Sequence, residues 1–328
     1  MKIVTGATGH VGNVLVRELL KRGEKVTAML HKRNPDALSD LDVPRVKADI
    51  TDMESLEKAF KGMDTVYHCA AMISIMPGQY KKLKKINVDG TANVIEACRK
   101  NGVKKMIYVS SIEAVGDPCP GKAVDESMGF NPDKAMMEYG VTKAEASLLV
   151  KKEACHKKGL EIVTVNPVGI IGPYDFKPCQ MGTMFIDFIK GRLPAYPAGG
   201  GFDFVDVRDV VSSILLAEEK GVSGEHYLVS SEHITIPELM KRLETITGKR
   251  KPFFALPLNL LHFFAFFAEY FYKISGKEAV ITRDSVNILR SDLKVDWKKA
   301  EKELGYSPRP LDETIRDHIK WLQDNGKV

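Results

Sequence analysis

Cysteine is scarce in this 328-residue chain, and metal-ligand spacing is missing. The five cysteines, Cys69, Cys98, Cys119, Cys155 and Cys179, are widely separated, odd in number and form no C-x-x-C pair. That pattern argues against a disulfide framework and a zinc module, and it places the chain in a reducing, cytoplasmic compartment. The eight histidines show no H-E-x-x-H or clustered spacing, so no metal site is expected. Charge of one sign is never concentrated. Forty-eight basic residues face 43 acidic ones, for a net charge of +5. The short runs "KKLKK" (81–85) and "RKNGVKK" (99–105) read as solvated helix faces, not as a nucleic-acid patch. No internal repeat and no low-complexity tract is visible. No signal peptide is expected, because "MKIVTG" already reads as a strand entering a turn. Only 253–272, "FFALPLNLLHFFAFFAEYFY", approaches bilayer length, and Pro257, Asn259, His262 and Glu269 interrupt it. The favoured reading is a buried or substrate-lining helix. Peripheral contact with a membrane interface comes second, and a stable span last.

What the chain does contain is ordinary globular material. The hydrophobic fraction is 44% and the charged fraction 28%. Its length suffices for one large core, or for a large domain with a smaller appendage. In the first half, short apolar runs alternate with helical patterns. "KIVT" (2–5), "KVTAML" (25–30), "RVKA" (45–48), "TVYHCA" (65–70), "KMIYVSS" (105–111) and "EIVTVN" (161–166) read as strands. The intervening 10–22, 53–60, 83–101 and 134–158 read as helices. This alternation predicts a parallel sheet covered on both faces, an α/β doubly wound (Rossmann) arrangement over 1–167. After Pro167 the rhythm changes. Glycine and proline become frequent, and helical patterns dominate at 207–219, 235–247, 258–273, 279–289 and 310–324. Residues 168–328 therefore read as a smaller, mostly helical substrate-binding part, with a segment near 204–230 returning to the sheet.

"TGATGHVG" (5–12) follows the first strand and opens a helix. Gly6 permits a tight turn, and Gly9 lets the backbone approach a pyrophosphate at the helix N-terminus. Gly12 allows close helix–strand packing, and Thr8 belongs to the same turn. The spacing is G-x-x-G-x-x-G, not G-x-G-x-x-G, but the complete strand–turn–helix–strand setting points to a dinucleotide site. The end of the second strand selects the cofactor. A carboxylate there would bind the ribose 2′-hydroxyl of NAD, and a basic group a 2′-phosphate. This chain has His31, Lys32 and Arg33, which favours NADP(H) and leaves NAD as the alternative.

"YGVTK" (139–143) puts a tyrosine and a lysine one helical turn apart on the same face. Alone, it fits an ordinary surface helix as well as a proton-transfer pair. Together with "TGATGHVG", "ADI" (48–50), "YHCAA" (67–71), "NVDGTANVIEAC" (87–98), "YVSSIEAVG" (108–116), "NPVGIIGP" (166–173), "FVDVRDV" (204–210) and "ELGYSPRPL" (303–311), it decides the matter. The chain resembles the extended short-chain dehydrogenase/reductases, the NAD-dependent epimerase/dehydratase superfamily, over nearly its whole length. Within them it is most similar to the dihydroflavonol-reductase-like branch, which includes proteins labelled hopanoid-associated sugar epimerases.

The resemblance implies several roles. Asp49 and Ile50 flank the adenine, and Cys69, Ala70 and Ala71 line the cofactor. His10 and Val11 offer backbone donors to the pyrophosphate. Asn87 supports the site, and Pro167 sits near the nicotinamide. Ser111 is the active-site hydroxyl, with Ser110 its neighbour. It also implies a homodimer formed through the helices at 83–101 and 134–158. The dehydratase branch carries Thr-Asp-Glu where this chain has Ser111, Ile112 and Glu113, which speaks against sugar dehydration.

The chemistry expected is general acid–base catalysis. A nearby ammonium favours a phenolate, so Lys143 is expected to lower the pKa of Tyr139 and, by resemblance, to bond the nicotinamide ribose. Tyr139 then exchanges a proton with a substrate oxygen, and Ser111 hydrogen-bonds that oxygen. Asp206 and Asp209 read as helix-capping residues. Arg208 reads either as a structural ion pair or as a contact for an anionic substrate. Tyr174 and Met184, with the aromatic run, suit an apolar or aromatic substrate, or belong to the core.

The leading reading is an NADP(H)-dependent oxidoreductase that reduces a carbonyl, or oxidises a secondary alcohol, of a medium-sized, partly apolar molecule. The alternative is an NAD-dependent sugar or nucleotide-sugar epimerase. A non-catalytic dinucleotide sensor is third, because such a protein has no need of Tyr139.

Overall fold

The computed structural model describes residues 1–31, 36–116, 122–155, 159–275 and 281–328. The first half runs β1 (Lys2–Thr5), α1 (His10–Lys21), β2 (Val26–Leu30), β3 (Arg45–Lys47), α2 (Met53–Ala59) and β4 (Thr65–His68). It continues through α3 (Tyr80–Lys84), α4 (Gly90–Lys100), β5 (Lys105–Val109), α5 (Glu138–Cys155) and β6 (Glu161–Pro167). The second half holds β7 (Gly169–Ile171), α6 (Gln180–Ile189), β8 (Ala195–Pro197), β9 (Gly201–Asp206), α7 (Val207–Lys220), β10 (His226–Val229) and β11 (Glu232–Thr235). It ends with α8 (Ile236–Thr247), β12 (Phe254–Leu256), α9 (Leu258–Ser275), α10 (Arg283–Ser291), α11 (Lys298–Leu304) and α12 (Leu311–Asp324).

Seven strands form one parallel sheet in the order β10-β6-β5-β4-β1-β2-β3. The order reverses between β1 and β4, and that switch point opens a crevice at the carboxyl ends of the strands. The central strands are mostly apolar and almost wholly buried because helices cover both faces. All four residues of β4 and of β10 are buried. On one face, α1 and α7 pack through Val14, Leu15, Leu19, Val210, Val211 and Ile214. On the other, α2, α4 and α5 pack through Leu56, Val94, Ile95, Ala146 and Val150. A three-stranded sheet, β11-β9-β7, and a two-stranded ribbon, β12-β8, lie in the second half. They seat a third core of Phe185, Phe204, Leu239, Leu243, Ile315 and Ile319.

Two helices differ from their sequence patterns. The helix expected over 83–101 is divided, because a π-helical turn at Lys85–Asp89 separates α3 from α4. The helix expected from 134 begins at Glu138 instead. Asn131 caps a short 3-10 turn at Pro132–Lys134, and Ala135 is extended. The ribbon and the small sheet add strands that the helical reading of 168–328 did not contain. At three to six residues each, they are too short to show a two-residue period.

Candidate active site

The glycine turn is built by steric exclusion. Gly6 has φ +65°, and a Cβ there would stand 2.7 Å from the Ala70 nitrogen. A Cβ on Gly12 would overlap the Gly6 carbonyl oxygen, so only glycine lets α1 start this close to the turn. Gly9 occupies the N-cap of α1, is exposed and supplies no side-chain cap. The N–H groups of His10, Val11 and Gly12 therefore lack intrahelical acceptors and face an approach that no side chain blocks. This cradle fits a pyrophosphate. The His10 ring reaches outward to the Pro173 carbonyl at 2.9 Å, which ties the turn to the second half of the chain.

The wall opposite the turn follows β4. Thr5 Oγ1 lies 2.9 Å from His68 Nδ1 and accepts a hydrogen bond from the Ala70 N–H at 3.2 Å. His68 Nε2 lies 3.0 Å from Thr91 Oγ1. Burial lowers the His68 pKa to about 3, so the ring is a neutral structural link. Asn87, in the π-helical turn, accepts from the Met72 N–H at 2.8 Å and donates to the Met72 carbonyl and the Thr142 hydroxyl. Its side chain is thus spent on holding Cys69–Met72 against α5. Ile50 packs against Gly90 and accepts from Asn93 through its carbonyl.

Ser110 and Ser111 part company at the end of β5. The Ser110 hydroxyl is buried 2.6 Å from that of Ser147. Ser111 caps the following turn, its hydroxyl accepting from the Glu113 N–H at 3.2 Å, and it stands near enough to Tyr139 to favour the phenolate. Asn166, from β6, donates to the Ser111 carbonyl at 2.8 Å, while its own Oδ1 is buried without a partner among the described residues. Lys143 is buried at 2% exposure. Its Nζ donates to the Val109 carbonyl at 2.8 Å and to the Tyr108 hydroxyl at 3.3 Å.

Burial, then Tyr108 and Glu113, raise the Tyr139 pKa, against a smaller downward effect from Ser111. Burial brings the Lys143 amine down to about 7, and its Nζ is bonded to the Val109 carbonyl at the end of β5. Glu113 went unnoticed as a site residue in the sequence reading. Its backbone packs on Gly140 and its carboxyl is pushed up to about 7 by burial. Its place two residues after Ser111 was the only signal.

Beside these groups lies a cavity of about 250 Å³. Ile112, Glu113, Met136, Met137 and Val168 form its inner wall, and Phe202, Phe204, Ile288 and Leu293 its outer wall. Val168 and Gly169 follow Pro167, which is buried at the end of β6.

Residues 2–230 match the model of the NAD dependent epimerase/dehydratase family. The chain belongs to this family. It is an NAD(P)-dependent enzyme, and its cofactor is a nicotinamide dinucleotide. Among its relatives is "Sterol demethylase protein B" of Methylococcus capsulatus, 36% identical over 99% of each chain. "Putative dihydroflavonol 4-reductase" of Synechocystis is 32% identical, covering 99% of this chain and 95% of the relative. "3beta-hydroxysteroid-dehydrogenase/decarboxylase isoform 1" of Arabidopsis thaliana is 31% identical, covering 97% and 78%.

Other expected residues fall in varied places around this epimerase/dehydratase-family site. Asp49 accepts from Thr51 and contacts His31 Nε2 at 2.8 Å. Burial pulls its pKa upward, but those hydrogen bonds outweigh it and hold the carboxyl below its ordinary range. Cys69 is half-buried, and burial pushes its thiol up to about 12. Thr8 is half-buried in the glycine turn and Ala71 is exposed. Lys32 and Arg33 lie outside the described residues. Asp206 caps α7 by accepting from the Arg208 N–H at 2.7 Å. Arg208 is an ion-pair partner of Asp206 and Asp317, which spends its guanidinium on structure.

Tyr174 and Met184 take the core reading, and the reading of the aromatic run is corrected. Tyr174 stacks under Arg17 and near Trp321, away from the cavity lining. Met184 packs on the third core. The aromatic run is neither buried nor substrate-lining. Its phenylalanines project outward, because among the described side chains of α9 only Ala265 and Glu269 turn fully inward, against α10. Among the described residues no helix is long and apolar enough to cross a membrane.

Proposed function

We propose that the chain is an NADP(H)-linked oxidoreductase that interconverts a secondary alcohol and a ketone on a rigid, largely apolar molecule of steroid or triterpenoid type. The observation that carries this reading is the cavity beside Ser111 and Tyr139. Its wall is mainly aliphatic, aromatic and methionine side chains, and among the described residues Lys134 is the only cation on it and no arginine is there for a diphosphate. Such a wall rewards apolar burial, whereas a nucleotide sugar would leave its charges unpaired. The names of the sterol- and hydroxysteroid-acting relatives agree with it.

In this reading Ser111 and Tyr139 hold the reacting oxygen together. Tyr139, protonated by virtue of its burial, gives its proton to a carbonyl, or takes one back from an alcohol. Lys143 braces the end of β5 and adds positive charge when protonated. The bound dinucleotide supplies or accepts the hydride and, when oxidised, a positive charge that favours the phenolate. Asn166 and Asn87 hold Ser111 and the Cys69–Met72 wall in place. His31, Lys32 and Arg33 take the 2′-phosphate, and the outer faces of α4 and α5 form a homodimer.

Steady-state rates with a 3-ketosteroid test the reading. The wild type is expected to favour NADPH over NADH in kcat/KM by about ten- to a hundredfold, the worth of one or two charge-assisted hydrogen bonds. Lys32→Ala with Arg33→Ala erases the preference. Equal rates with both cofactors, unchanged in the double variant, remove the phosphate assignment. Turnover of UDP-sugars but of no steroid removes the substrate assignment.

A further inference from the structure

The exposed aromatic face of α9 and β12 is unusual for a folded chain, and it is not part of the candidate site. Phe253 is 91% exposed, Phe254 62%, and Phe263, Phe264, Phe266, Phe267, Tyr270 and Phe271 between 51% and 61%. With Leu260, the α9 positions recur at intervals of three and four residues, so they share one broad face. Phe263 packs edge-on to Phe264 and Phe267, yet nothing among the described residues covers these rings. A patch of this kind marks an interaction surface.

The charges around it are one-sided. From 249 to 271 the only acid is Glu269, which is buried and bonded to the Arg283 N–H at 2.6 Å and to its guanidinium at 2.9 Å. Lys249 and Arg250 are exposed, and Lys251 follows them just before β12. The parallel register of Phe254 with Ala195 puts the exposed Arg192 at the same end of the ribbon. Among the described residues none of these four cations has an ion-pair partner. The face therefore combines aromatic rings with unpaired positive charge at one edge. That is the composition of an element lying in the interface of an anionic bilayer. A second copy of this chain would bring the same face, whose described residues offer these cations no exposed acid.

We propose that this face docks the enzyme on an anionic lipid surface. The rings enter the headgroup–acyl boundary, and Arg192, Lys249, Arg250 and Lys251 meet lipid phosphates. The Glu269–Arg283 pair fixes α9 on α10, whose Ser285 and Ile288 line the cavity. The docked face thus lies on the far side of the cavity wall, close to where an apolar molecule leaves a membrane.

Flotation of the full chain with phosphatidylcholine vesicles, with and without phosphatidylglycerol, tests the proposal without reference to catalysis. The wild type is expected to float with the anionic vesicles and much less with the neutral ones. Phe263→Glu with Phe267→Glu lowers flotation at least tenfold. Lys249→Glu with Arg250→Glu removes the dependence on phosphatidylglycerol about tenfold and keeps the protein testable should the aromatic variant misfold. Dinucleotide binding checks that each variant is folded. A folded wild type that stays in solution with both vesicles overturns the proposal. So does a dimer that Phe263→Glu with Phe267→Glu converts to monomer while no lipid is bound, which would assign the face to a second copy.

Discussion

Lys143 and Glu113 are two ionisable side chains of one site that burial moves in opposite directions. Lys143 falls from an ordinary 10.5 to about 7. Between those values the unfolded chain holds the proton and the folded chain does not, so stability rises with pH across that window, by up to about 5 kcal/mol. Glu113 rises from 4.5 to about 7. In that lower window the folded chain holds the extra proton, so stability falls as pH rises. Buried His68 and His318, held near 3, and His226, held near 4, add rising slopes of their own below about 6.5, so each group is read from its own variant. In urea midpoints over a pH series, Lys143→Met is expected to lose the wild type's rise above neutrality, and Glu113→Gln to rise more steeply than the wild type between about 4.5 and 7. A difference between variant and wild type that does not change with pH would show that the substituted group is not shifted. The spacing of Tyr139 and Lys143 is legible because one helical turn fixes it. The direction of the Lys143 amine toward the Val109 carbonyl is not, because it depends on where β5 ends beside α5.

At the scale of elements, the π-helical turn at Lys85–Asp89 matters most. It presents Asn87 to Met72 and Thr142 together, which ties the wall after β4 to the helix that carries Tyr139. Asn87→Ala removes the partners of the half-buried Met72 backbone groups and one partner of the buried Thr142 hydroxyl, at a cost of about 1–3 kcal/mol. The expected result is a lower melting temperature and a raised KM for the dinucleotide, with kcat less affected. A variant with unchanged KM would mean that Asn87 does not position the wall. The glycine turn was readable from residue order, since Gly6 and Gly12 answer to local sterics that the sequence states directly. The π-helical turn was not, because the apolar period of 83–101 runs on across it.

Over the whole molecule, the parallel sheet was readable because strands buried on both faces read as mostly apolar runs, not as alternating ones. The cofactor class followed from the glycine turn at its head. The aromatic run was misjudged for the opposite reason. Apolar composition ordinarily means burial, and only tertiary packing shows that α9 keeps its small and charged face inward and its rings outward. Substrate shape was equally hidden, since the cavity wall is assembled from residues as distant as Ile112 and Leu293. The chemistry of the whole enzyme is tested most directly by following the hydride. A 3β-hydroxysteroid carrying deuterium on the carbinol carbon is incubated with the oxidised dinucleotide, and both products are read by mass spectrometry. We expect one deuterium on the released, reduced nicotinamide per ketone formed, falling by at least about a hundredfold in Tyr139→Phe. Deuterium retained on a product of inverted configuration, with no reduced cofactor released, would contradict net oxidoreduction.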